Sequence, residues 1–64
     1  SAPTVLNAAN EIAVERFLAR DIGFLDIPRV VDETLNLSAV EKISTLNDVI
    51  EIDADARRTA RQIS

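Results

Sequence analysis

The chain has 64 residues, a formal net charge of −4 and 47% hydrophobic residues, with two Phe and no Trp, Tyr, Met, Cys or His. Such a length allows one small domain with a thin margin of stability, its core built from Leu, Ile, Val and Ala. Without Cys or His there is no disulfide framework, thiol nucleophile, zinc site of the usual ligands or imidazole proton shuttle.

The first predicted element is a helix from about Val5 to Arg20, free of Gly and Pro and rich in Ala, Glu, Leu and Arg. Thr4 or Asn7 is placed to cap its start, and Gly23 to end it in a left-handed conformation. At about 100° per residue, Leu6, Ala9, Ala13 and Phe17 form a stripe that Val14 and Leu18 widen on one side and Ile12 on the other. So wide an apolar arc fits a helix surrounded by several neighbours.

A second helix is expected from Asp26, whose carboxylate can accept backbone N–H bonds, with Pro28 in the first turn where a missing N–H costs nothing. Ile27, Val30, Val31, Thr34 and Leu35 share its inner face, and Arg29, Asp32 and Glu33 lie outside it. From Asn36 to Ser44 the pattern reads as irregular, with Leu37, Val40 and Ile43 as anchors. Helix returns at Ser44 or Thr45, with Leu46, Val49 and Ile50 facing inward. Continuing that face by three lands on Asp53, which predicts a break. A short helix ends near Ile52, and Asp53 caps a final one from Ala54 to about Gln62. The fold class is therefore all-α, a bundle of three main helices with the last broken near Asp53.

Chemical candidates are few. DADAR, Asp53 to Arg57, opens like a calcium loop but continues with Arg58 and Ser64 where that loop needs Gly and Glu. A cap at Asp53, paired with Arg57 one turn later, explains it better. Glu11 and Glu15 read as solvated charges, and a single Gly rules out a glycine-rich phosphate loop. A carrier domain needs an Asp-Ser-Leu helix start, which is missing. The residues themselves thus name no catalytic, cofactor-binding or metal site.

Partners are bounded in the same way. Without an aromatic platform, and with basic residues clustered only at Arg57, Arg58 and Arg61, a nucleic-acid surface is not expected. No run approaches the roughly 18 apolar residues of a membrane span, and the first residues lack the pattern of a secretory signal. The expectation is a cytoplasmic chain. The absence of Met fits either a short product that lost its initiator or a piece of a longer chain.

Two amides fall inside the apolar arc. Asn7 projects between Val14 and Leu18, and Asn10 between Phe17 and Val14. Either Asn7 caps the helix and Asn10 reaches solvent, or both bind backbone groups of a partner segment packed on the helix start.

The run LNAANEIAVERFLARDIGFLDIPRVV resembles the C-terminal helical domain of the 1-deoxy-D-xylulose 5-phosphate reductoisomerase family. The similarity includes LNAANE, Phe17-Leu18, Ile22-Gly23-Phe24, Asp26-Ile27, Leu46, Asp48-Val49, Asp53-Ala54 and Ala56-Arg57; only Asn36 to Ser44 matches poorly. The resemblance implies a parent oxidoreductase of the non-mevalonate isoprenoid pathway. That parent makes 2-C-methyl-D-erythritol 4-phosphate using NADPH and a divalent metal, and is a cytoplasmic homodimer. The NADPH-binding and catalytic domains would precede this segment, which alone would be inactive. Its partner would be the catalytic domain of the same chain, with Asn7 and Asn10 at the junction and Asp26, Asp53 and Arg57 in structural roles. Isolated, the segment would expose its apolar arc or cover it by self-association. The alternative is a free-standing helical interaction module whose groove receives a partner helix.

Overall fold

The structure, a computed structural model, describes residues 2–37 and 46–63. It consists of helices α1 (Ala2–Leu18), α2 (Asp26–Leu37) and α3 (Leu46–Gln62). The start of α1 meets Ile52 and Ala56 of α3, and its middle meets Ala60 and Ile63, so these two helices run in the same direction. Helix α2 runs against both, with Leu35 near the start of α1 and Ile27 near its end. The seams are lined mostly by small side chains. Buried are Ala8, Ala9 and Ala13 of α1 and Ala56 and Ala60 of α3, with Val5, Ile12, Val30, Val31 and Ile63 filling around them. Alanine at facing positions lets helix axes approach to the short end of the ~8–10 Å range.

Both ends of α1 differ from expectation. Helix α1 begins at Ala2, ahead of Val5. Pro3 explains the extension, because in a first turn it has no intrahelical N–H to lose and its φ is already helical. Thr4 and Asn7 are therefore interior positions and not caps. The helix ends at Leu18, and the left-handed residue is Arg20 (φ 64°), while Gly23 has no positive φ. The Asp21 N–H donates to the Arg16 carbonyl (2.8 Å) and the Arg20 N–H to the Phe17 carbonyl (3.0 Å), the two bonds of a Schellman motif.

Gly23 serves a different purpose. Its N–H donates to Asp26 Oδ2 (2.9 Å), and a Cβ there would sit 3.3 Å from that oxygen. The carboxylate thus reaches back across the turn as the third residue of a capping box does.

The break near Asp53 is not present: α3 is one helix from Leu46 to Gln62. The inward series runs Val49, Ile52, Ala56, Ala60 and Ile63, at helical spacings of three and four, and so passes beside Asp53. Leu46 and Ile50, expected inside, are exposed. Asp53 accepts from Arg57 Nε one turn ahead (2.8 Å), which occupies the carboxylate without interrupting the backbone. Residues 36 and 37 belong to α2; the rest of the expected irregular stretch, and the helix start at Ser44 or Thr45, lie outside the described residues.

Candidate functional site

Among the described residues, the outer side of α1 carries an open surface groove. With Ala8, Ala9, Ile12 and Ala13 turned to the bundle, Leu6, Asn7, Asn10, Val14 and Leu18 are left outward. The structure therefore divides the apolar arc. Its Ile12 side forms the core and its Val14 and Leu18 side faces solvent. Leu18 is 74% exposed and Leu6 46%. An open groove of about 540 Å³ runs along this side, lined by Asn10, Glu11, Val14, Glu15, Leu18 and Arg57. Asn7 and Asn10 are both exposed beside this apolar strip.

The charged wall of the groove is organised around Arg57. Its guanidinium donates to Asp53 on α3 and to Glu11 on α1. These hydrogen bonds, Asp53 first and Glu11 second, hold its pKa above the ordinary arginine value. The fork thereby joins the two parallel helices at the groove edge. Arg61 lies 3.9 Å from Glu15, a looser pair further along the same seam.

A second arginine was not singled out from the sequence. Arg16 sits on the inner side of α1, its side chain only 13% exposed. Its Nε donates to Asp21 Oδ2 (2.6 Å), and its Nη1 donates to the carbonyls of Ala60 (2.8 Å) and Ile63. It ties the end of α1 and the turn after it to the last turn of α3, where free carbonyls and a negative helix end favour a cation. The signal was available, since Arg16 lies between Val5 and Ala9 on the helical wheel. Asp26, by contrast, serves the α1–α2 turn, accepting from Gly23 and lying near Arg29 (3.6 Å).

Among the described residues no three acidic side chains gather as metal ligands do, and no helix is long and apolar enough to cross a membrane. Every buried side-chain N or O among them has a partner. The outer side of α1 thus combines an apolar strip, two amides and an ion-paired edge.

A family model described as "DXP reductoisomerase C-terminal domain" matches residues 1–59. Among curated relatives, the 1-deoxy-D-xylulose 5-phosphate reductoisomerase of Rhodospirillum centenum is 54% identical over 63 residues, and that of Paraburkholderia phytofirmans 57% identical over 61. These matches cover 98% and 95% of this chain but 16% and 15% of the relatives. The solved 1-deoxy-D-xylulose 5-phosphate reductoisomerase from Zymomonas mobilis in complex with NADPH superposes with a TM-score of 0.88 at 51% identity, over 92% of this chain and 16% of that one. The chain thus spans only about a sixth of the length of the proteins it matches.

Proposed function

The chain belongs to the DXP reductoisomerase C-terminal domain family, and on that premise we propose that it is the bracing helical domain of a larger reductoisomerase. One observation carries this. Of the six leucines in the sequence, Leu6, Leu18, Leu25, Leu37 and Leu46 are exposed and only Leu35 is half-buried, while the buried apolar residues among those described are alanine, valine and isoleucine. A helical segment that displays nearly all of its leucines has a further interface elsewhere.

In this reading the outer side of α1 packs against the catalytic domain of the same parent chain. Asn7 and Asn10 bind backbone groups at the junction, where unpaired amides would otherwise be costly. Asp26 holds the α1–α2 turn, and Asp53 with Arg57 holds the α1–α3 edge. The 64 residues form a single domain that contributes packing and no catalytic group.

The parent converts 1-deoxy-D-xylulose 5-phosphate to 2-C-methyl-D-erythritol 4-phosphate with NADPH and a divalent metal, as a cytoplasmic homodimer. NADPH and the metal are held by the preceding domains. Cut away from them, this segment would cover its exposed strip by pairing with a second copy.

The experiment is an assay of the intact polypeptide that carries this segment, following NADPH oxidation with 1-deoxy-D-xylulose 5-phosphate and a divalent metal. Metal-dependent turnover is expected; its absence in a folded intact protein would overturn the assignment. A second expectation concerns Asp26→Ala and Asp53→Ala in that protein. Both should leave turnover per folded molecule unchanged, and loss of turnover without loss of stability would show a direct catalytic role.

A further inference from the structure

We propose that the α1–α2 turn is a preformed apolar plug that seats in the remainder of the parent chain; this rests on the docking role above and extends it from the side of the bundle to its end. Leu18, Phe24 and Leu25, at the end of α1 and in the turn beyond it, are 74%, 68% and 85% exposed. Phe24 is propped edge-on against Phe17, with ring centroids 5.7 Å apart and planes at 68°.

The turn that carries these side chains is braced throughout. The Schellman bonds close its first half, and Arg16 clamps Asp21. In its second half the Asp26 N–H donates to the Gly23 carbonyl (3.0 Å), the Ile27 N–H donates to the Phe24 carbonyl (3.2 Å), and Asp26 Oδ2 accepts from the Gly23 N–H. A turn ordered in advance loses little further entropy on seating. Large apolar side chains held outward on such a frame have the character of interface anchors.

The occupant we assign is the rest of the same polypeptide. About five-sixths of the matched reductoisomerases lies outside this segment, and a tethered partner acts at effective concentrations of roughly millimolar order. A second copy of this segment has no such tether, and each such segment carries a net charge of −4. Leu18 also links the turn to the groove on α1, so one continuous surface serves both contacts.

Hydroxyl-radical footprinting of the intact parent protein, read by mass spectrometry over a series of protein concentrations, tests this on the unsubstituted sequence. Seating should cut oxidation of Phe24 and Leu25 by about tenfold from that of free side chains, close to the rate at buried Ile12, in proportion to the accessible area lost. Free oxidation of Phe24 and Leu25 with Leu6 and Val14 protected would overturn the plug and leave the docking role standing. Free oxidation of all four would overturn both. Protection of the turn that disappears on dilution would assign it to a second copy, which also overturns the proposal.

Discussion

Arg16 is the residue on which the end of the bundle depends. Its guanidinium makes charge-assisted bonds to two carbonyls closing α3 and to Asp21 beyond α1, and its small exposure keeps them from easy exchange with water. Arg16→Met should destabilise the fold by about 2 kcal/mol, since hydrogen bonds to charged groups contribute roughly 1.5–3 kcal/mol each and the carbonyls partly rehydrate. Arg16→Lys should recover only part of this, because an ammonium cannot reproduce the fork. Denaturant midpoints of the three proteins check both expectations. Arg20 points the other way. It occupies a left-handed position at φ 64° where glycine meets no Cβ penalty, so Arg20→Gly should stabilise by about 0.5–1 kcal/mol. A destabilised Arg20→Gly protein would show that the Arg20 side chain contributes more than its backbone strain costs.

At the level of helices, α3 shows what a periodic pattern conveys and where it misleads. Starting the inward face at Leu46 and Ile50 leads to Asp53 and suggests a break; starting it at Val49 and Ile52 gives an unbroken helix. The sequence holds both series, and only packing against Val5 and Ala8 of α1 selects the second. The start of α2 was legible because Asp and Pro act locally. The end of α1 was not, because the left-handed residue is an arginine held by the local Schellman bonds, while the nearby glycine lies against the Asp26 carboxylate. Continuity of α3 has a direct consequence. Asp53→Ala should cost well under the ~1 kcal/mol of a lost cap, and amide exchange should be equally slow on either side of residue 53. Ala60→Leu, in contrast, should force α1 and α3 apart and cost about 1–3 kcal/mol through overpacking; thermal denaturation will read it.

Across the whole molecule, an alanine-rich core and a leucine-rich surface point outward to a larger body. The excess width of the apolar arc on α1 was visible from spacing alone, as was the intrusion of Asn7 and Asn10 into it. Which half of the arc faces the bundle was not, because Ile12 and Val14 are equally apolar and only the positions of α2 and α3 tell them apart. Likewise, spacing alone does not mark Phe24 and Leu25 as outward, since apolar residues beside a turn more often fold back onto a core. The most direct test of the docking role is hydrogen exchange, by mass spectrometry, of α1 peptides in the intact parent protein and in its Val14→Asp variant. If the outer side of α1 is covered by the catalytic domain, α1 amides exchange in the wild-type protein as slowly as the most protected helices, and Val14→Asp accelerates them while peptides of the preceding domains keep their rates. Rapid exchange of α1 in the wild-type protein, unchanged by Val14→Asp, would contradict it.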